Sequence, residues 1–196
     1  MRSYKLIGLT GRSGSGKSVV RGVFEEEGYK VIDADLLARR ALESPVVLIG
    51  LKAYFGSDII NGNTLDRKSL AEKAFRDKEN TAKLNSVMHP EIVRLFLGDL
   101  KDLIISGESK ILFDAPQLFE AGMEVLCDLT VAVIADDELR LRRITERDNI
   151  SRAEAESRLR VQLDDSFFKN ECDYYLENNN SEQELKSKTR ELISRI

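Results

Sequence analysis

Residues 5–18 read KLIGLTGRSGSGKS. A short apolar run leads directly into G-x-x-x-x-G-K-S, the pattern of a phosphate-binding loop, and few folds accept that order: a buried strand, a tight glycine loop, then a helix. Each part has a physical task. Gly11, Gly14 and Gly16 allow positive φ and let the backbone pass close to an anion. The successive N–H groups of Arg12, Ser13, Gly14, Ser15 and Gly16 then face phosphate oxygens, backed by the positive end of the helix that follows. Lys17 reaches the β- and γ-phosphates, and the Ser18 hydroxyl suits Mg²⁺. The competing reading is a Gly/Ser-rich turn. It leaves unexplained why the fixed positions fall between a strand and an amphipathic segment. The loop implies a bound nucleoside triphosphate and leaves the reaction open.

The 196 residues suit one α/β core with insertions better than two independent domains. Tyr4 to Thr10 reads as a buried strand and Lys17 to Glu27 as a helix, with Val19, Val20, Val23 and Phe24 on one side and Gly28 closing it. Tyr29 to Ile32 is a second strand, completing the first βαβ unit of a parallel sheet. From Asp35 to about Ser106 the alternation breaks. Leu36–Glu43, Val46–Phe55, Leu65–Phe75 and Glu79–Ile105 read as helices separated by turns at Ser44-Pro45, Gly56-Ser57 and Asn61-Gly62-Asn63. That is more helix than a crossover needs. It predicts an inserted helical subdomain that grips a second substrate. Lys110–Pro116 and Asp128–Ala135 are further strands, Asp136–Arg147 and Ser151–Gln162 further helices, and Tyr174–Leu176 a last short strand. Ser151 with Glu154, and Ser181 with Glu184, have capping-box spacing. The expected fold is a three-layer α/β/α core with a parallel sheet of about five strands. The expected divisions are core at 1–34, 107–135 and 172–196, insertion at about 35–106, and a helical lid at about 136–171.

Charge and composition exclude several classes of protein. The net charge is −4 and no dense Lys/Arg tract occurs, so nucleic acid is not an expected partner. No segment approaches the roughly 20 apolar residues of a membrane span, and the first apolar run is consumed by the opening strand. Cys127 and Cys172 lie far apart with no C-x-x-C spacing, which fits unpaired structural thiols. The expectation is a cytoplasmic protein without a membrane partner, monomeric or weakly self-associating.

Ligands of open α/β sheets gather at the carboxyl ends of the strands. Asp33 and Asp35 follow the second strand. One of them can face an acceptor hydroxyl, orient it and take its proton. The alternative is helix capping, and both hold if Asp35 caps while Asp33 reacts. Asp114 ends the third strand, where a carboxylate can hold Mg²⁺ directly or through water. Its alternative is a turn residue before Ala115-Pro116. Arg143 and Arg147 share one helix face, and Arg140 lies near the same stripe. They can close over a transferring phosphoryl group. A solvated, salt-bridged surface helix is the competing reading. His89, the only histidine, reads with Pro90 as a helix start, and Asn178-Asn179-Asn180 as a turn.

Taken in order, these landmarks resemble the dephospho-CoA kinase family. They are Leu9-Thr10-Gly11 through Ser18; Val31-Ile32-Asp33-Ala34-Asp35; Leu65-Asp66-Arg67 with Leu70; Leu84-Asn85 then His89-Pro90; Asp114-x-Pro116-x-Leu118-Phe119-Glu120; Arg143 with Arg147-Asp148; Ala155, Arg158 and Gln162; and Asp173-Tyr174 leading to Asn178-Asn179. The resemblance spans nearly the whole chain. It implies a P-loop kinase core with a helical acceptor domain and a mobile lid. The implied reaction moves the γ-phosphoryl of ATP to the ribose 3′-hydroxyl of dephospho-CoA. By motif position Asp33 is the base or orienting carboxylate, Lys17 and Arg143 act on the transferred phosphoryl, and Arg147 assists on the ATP side with Val19. Asp35, His89, Pro116 and Leu118 fall on the acceptor side, and Ser18 with Asp114 on the Mg²⁺. Three positions depart from the family pattern: Arg12-Ser13 stand for Gly-Ile, Gln117 for Leu and Asn180 for Gly.

Two other functions fit the loop. One is a P-loop kinase acting on a nucleoside, nucleotide or sugar. The other is a non-catalytic nucleotide-binding regulator or GTP switch, although the chain has no N-K-x-D guanine motif.

Overall fold

The computed structural model describes residues 3–61 and 64–196. The chain forms two compact units, one made of residues up to Ile32 together with Leu103–Ile196, the other of Asp33–Asp102.

The first unit is built on a five-stranded sheet. Its strands are β1 (Lys5–Gly11), β2 (Lys30–Asp33), β5 (Lys110–Asp114), β6 (Leu129–Ile134) and β7 (Tyr174–Glu177), in the order β2-β5-β1-β6-β7. β1 runs parallel to β5 and β6, and β6 parallel to β7. Leu6, Ile7 and Leu9 are fully buried. That run of consecutive apolar residues, without alternation, marks a central strand covered on both faces. On one face lie α1 (Lys17–Glu26) and α9 (Glu182–Arg195). Val20 and Phe24 from α1, and Leu185 and Leu192 from α9, meet Ile7, Leu9, Leu112, Val131 and Val133 of the sheet. α8 (Asp165–Glu171) covers the other face, with Phe168 buried against Ala132 and Ile134 and backed by Phe119 and Phe167.

α1 stops where the sequence predicts. The Gly28 N–H bonds Glu25 O at 3.1 Å, the Tyr29 N–H bonds Phe24 O at 3.0 Å, and Gly28 takes φ +87°. That is a Schellman stop, and the Phe24 and Tyr29 rings, 4.8 Å apart and edge-on, supply its apolar contact. After β6 come α6 (Asp137–Asp148) and α7 (Arg152–Arg160). α7 opens with the expected reciprocal capping box of Ser151 and Glu154. At Ser181 only half of the box forms: the serine accepts from the Glu184 amide, while the Glu184 side chain pairs with Asn180 and Lys188.

The second unit contains α2 (Ala34–Ala41), α3 (Pro45–Phe55), a hairpin of β3 (Ile60–Asn61) and β4 (Thr64–Leu65), α4 (Arg67–Ala74) and most of α5 (Lys78–Ile105). It has its own core of Ala41, Val47, Leu51, Phe55, Ile59, Leu70, Ala74 and Met88.

Several expectations are corrected here. Leu65 is not helical: it pairs with Ile60, and α4 begins only after Asp66, whose carboxylate accepts from the Lys68 and Ser69 amides. Pro45 belongs to no turn; it is the first residue of α3, where its missing N–H costs nothing. His89-Pro90 starts no helix. Pro90 lies inside α5, which continues because Met88, Phe96 and Leu100 bury one face along its length. The residues 165–171 form a helix that the sequence reading lacked. In the predicted turn at residues 61–63, Gly62 and Asn63 lie outside the described residues.

Among the described residues no helix is long and apolar enough to cross a membrane. Both cysteines are free, and burial pushes each thiol up to about 12.

Candidate active site

The phosphate loop leaves β1 at the centre of the sheet. Register places Leu9 opposite Asp114 and Gly11 opposite Val133, so the loop rises between the carboxyl ends of β5 and β6. Its glycines are fixed by their neighbours as much as by their torsions. At Gly14 (φ +76°) a Cβ would stand 2.9 Å from the Arg140 carbonyl oxygen, so α6 lies against the loop with no room for a side chain. At Gly16 (φ +97°), the N-cap of α1, a Cβ would overlap the Asn178 side-chain amide. That amide donates to Ser15 O at 2.7 Å. Gly16→Ala therefore combines an unfavourable φ with a clash against a bonded group. Chemical denaturation should show a loss of about 2 kcal/mol or more, together with weakened ATP binding in calorimetry; unchanged values for both would remove the geometric constraint on this glycine.

Lys17 opens α1 and forms a close ion pair with Asp114 Oδ1. Arg21, one turn further along the same helix face, reaches Asp114 Oδ2 at 3.3 Å. Asp114 is only 6% exposed, and these two cations face its buried carboxylate. Sequence reasoning missed Arg21; its spacing of four residues from Lys17 was the available signal. Thr10 Oγ1 donates to Pro116 O at 3.2 Å, and buried Leu118 fills the space above Gly8, where a Cβ would come within 2.7 Å of it.

Arg143, half-buried on α6, donates from Nη1 to Gly14 O at 3.2 Å and from Nη2 to Asn178 O at 3.1 Å. Its guanidinium is thus bonded to the loop backbone itself. Arg147 faces solvent and makes a two-pronged pair with Asp148 at 2.7 and 3.0 Å, and Arg158 bonds the same carboxylate at 2.7 Å. These bonds push the Arg147 pKa up and the Asp148 pKa down. Arg140 differs from both. It is 1% exposed and pairs with Asp137 and Asp165, the latter at 3.2 Å. Burial lowers its pKa and raises that of Asp165, while their mutual attraction acts the other way on each.

Asn178, read from sequence as part of a turn, joins three elements. Its N–H bonds Ile134 O at 2.9 Å, its side chain holds Ser15 O, and its carbonyl accepts from Arg143. Nothing in the local sequence distinguishes it from its two neighbours. Asn179 pairs its side chain with Asp136 through two 2.9 Å bonds, fixing the start of α6.

Arg12 is turned away from the loop mouth. It bonds Leu159 O at 3.0 Å and Asp137 Oδ1 at 3.4 Å and lies 3.7 Å from Asp165 Oδ1, while the Ser13 N–H donates to Gln162 Oε1 at 3.1 Å. Ser18 and Val19 follow in the first turn of α1, Ser18 exposed and Val19 packed at the margin of the core.

Asp33, Asp35 and His89 lie in the second unit. Asp33 ends β2, and its carboxylate caps α2 by accepting the Leu36 amide at 3.1 Å. The cap is therefore Asp33 and not Asp35, which sits in the first helical turn, where its charge suits the positive helix end. Burial lowers the His89 pKa, which favours a neutral imidazole at physiological pH.

A central parallel sheet, a glycine loop feeding α1, a buried carboxylate on the neighbouring strand and an arginine helix laid on the loop define a P-loop kinase. Comparisons narrow the class. The family model for dephospho-CoA kinase (CoaE) matches residues 5–184. A dephospho-CoA kinase of Fusobacterium nucleatum is 39% identical over 99% of this chain and 100% of its own length. One from Listeria innocua is 35% identical over 98% and 97%. Among solved structures, TT1252 from Thermus thermophilus shares 35% identity with a TM-score of 0.85, covering 100% of this chain and 99% of its own. A dephospho-CoA kinase from Campylobacter jejuni shares the fold at 23% identity and a TM-score of 0.63, over 99% of this chain and 98% of its own. The chain belongs to the dephospho-CoA kinase family.

Proposed function

We propose that this chain transfers the γ-phosphoryl group of ATP to the ribose 3′-hydroxyl of dephospho-CoA, giving CoA and ADP, the last step of CoA biosynthesis. The observation that carries this reading is the family match along residues 5–184, which includes the phosphate loop and the arginine helix bonded to it. The acceptor oxygen attacks the γ-phosphorus as the bond to the β,γ-bridging oxygen breaks, and ADP leaves with that electron pair. Asp33 orients the hydroxyl and takes its proton. Lys17 and the loop amides, apart from the Ser13 N–H that donates to Gln162, hold the β- and γ-phosphates. Arg143 balances charge on the transferring group, and Arg147 exchanges Asp148 for the ATP phosphates. The helical insertion, with Asp35 and His89, binds the acceptor together with Pro116 and Leu118, and residues 136–171 act as the lid.

Ser18 and Asp114 would hold Mg²⁺. Among the described residues no group of three or more His, Cys, Asp and Glu is placed to cage a metal. The donors present are one exposed hydroxyl and one buried carboxylate already in contact with Lys17. That sparse set fits Mg²⁺, which keeps several waters and draws its remaining ligands from phosphate oxygens. When bound, the ion supplies charge neutralisation at the β- and γ-phosphates.

The test is acceptor choice. The protein is incubated with Mg·ATP and, separately, dephospho-CoA, adenosine, AMP or shikimate, and ADP release is followed. ADP should appear in stoichiometric balance with CoA from dephospho-CoA alone. Turnover of another acceptor, with none of dephospho-CoA, would overturn the assignment.

A further inference from the structure

We propose that Arg12 is a positioning residue for ATP binding: it ties the phosphate loop to the segment from the end of α7 to the start of α8, keeping Gln162 on the Ser13 amide. The proposal rests on the kinase reading above. Arg12 occupies a variable position of the loop motif, where no particular side chain is required. A long cation at a loop tip would ordinarily extend into solvent, yet the Arg12 side chain is only 10% exposed. Its guanidinium meets three separate elements: Asp137 at the start of α6, the Leu159 carbonyl in the last turn of α7, and Asp165 at the start of α8.

Arg12 shares the acids of this cluster with a second arginine. Arg140 is buried and pairs with the same two carboxylate oxygens, Asp137 Oδ1 and Asp165 Oδ1. Two guanidinium groups thus face two carboxylates. Without Arg12, Arg140 would pair with both acids alone, and the Leu159 carbonyl would lose its bond to the loop. The backbone supplies the second tether, through the Ser13 N–H on Gln162 Oε1. Lysine cannot replace this arrangement, because one ammonium group does not present the planar fork that reaches a carbonyl and two carboxylates together.

The functional consequence follows from ordering. A segment already docked on the loop loses little further freedom when the nucleotide arrives; a loose one must be ordered at that moment, and ATP affinity drops. Chemistry on the bound substrates is affected less, since Lys17, Asp114 and Arg143 make their contacts without Arg12.

Arg12→Gly, Arg12→Lys and Gln162→Ala test this. Arg12→Gly should raise both the ATP Kd, measured by calorimetry, and the ATP KM at least about fivefold, a modest coupling between sites. The KM for dephospho-CoA and kcat should move less. Amide hydrogen exchange should quicken across residues 157–165. Gln162→Ala should shift ATP affinity in the same direction, and the double variant should fall short of the product of the two single effects. Arg12→Lys preserves a charge beside the acids and guards against misfolding; it should keep a near wild-type Tm with ATP binding still weakened. Wild-type ATP affinity and exchange in Arg12→Gly would overturn the proposal, as would a lowered Tm with equal losses in kcat and both KM values. Should the protein phosphorylate some other acceptor, the calorimetric and exchange measurements still decide the role of Arg12.

Discussion

Replacing Arg143 with alanine is expected to lower kcat by roughly 10³-fold, the lower end of the range for arginines acting on phosphoryl transfer, while ATP binding weakens far less. The structure gives the reason for singling out this arginine. Its guanidinium is bonded to two backbone carbonyls, Gly14 O and Asn178 O, at 3.2 and 3.1 Å. Both acceptors are neutral. A phosphoryl group that gains negative charge on its equatorial oxygens offers stronger, charge-assisted bonds to the same fork. Arg143 is therefore held at the loop without being consumed by a counter-ion. Arg147 is exposed and already paired with Asp148, which it shares with Arg158. Arg140 is buried against Asp137 and Asp165. Steady-state kinetics on Arg143→Ala, with the ATP Kd measured separately, checks the assignment. A wild-type kcat would exclude Arg143 from the transition state. Arg143→Lys should recover little, since a point charge does not reproduce the two-pronged contact.

The parts of this molecule that sequence revealed are those fixed by local rules. β1, the loop and α1 follow from an apolar run, three glycines and an amphipathic stripe, and the stop at Gly28 follows from its φ of +87°. The capping box at Ser151 depends on two residues three apart. What stayed hidden depends on distant partners or on elements too short to carry a period. β3 and β4 have two residues each, so no alternation exists to detect. α8 has seven residues and presents only one buried side chain. Arg140 sits among charges that resemble a solvated helix face, and its burial is compensated by Asp137 nearby and by Asp165, 25 positions away. Asn178 holds the loop at Ser15, 163 positions earlier. Arg12 is the same case: a departure from the family pattern with no local meaning, which acquires one through Asp137, Leu159 and Asp165.

Asp33→Asn is expected to lower kcat by roughly 10²–10⁴-fold, the contribution of a positioned base, with ATP affinity nearly unchanged. The structure makes this substitution unusually clean. Asp33 Oδ1 accepts the Leu36 amide at 3.1 Å as the N-cap of α2. Asparagine is an equally good N-cap, and its carbonyl oxygen can take the same bond. The variant therefore keeps the cap while removing the charge and the proton-accepting capacity. Some stability is lost, because a carboxylate at the positive end of a helix contributes about 0.3–1 kcal/mol that an amide does not. Alanine removes the cap as well, costing about 1 kcal/mol in addition. The three proteins thus separate the two roles of one side chain. If capping is its whole contribution, asparagine will turn over at the wild-type rate and only alanine will be impaired, through a lower Tm. If Asp33 is the base, asparagine and alanine will be equally inactive despite different stabilities, and the ATP Kd will be close to wild type in both. A collapse of ATP binding in Asp33→Asn would instead place this carboxylate on the nucleotide side, and the acceptor hydroxyl would need a different base.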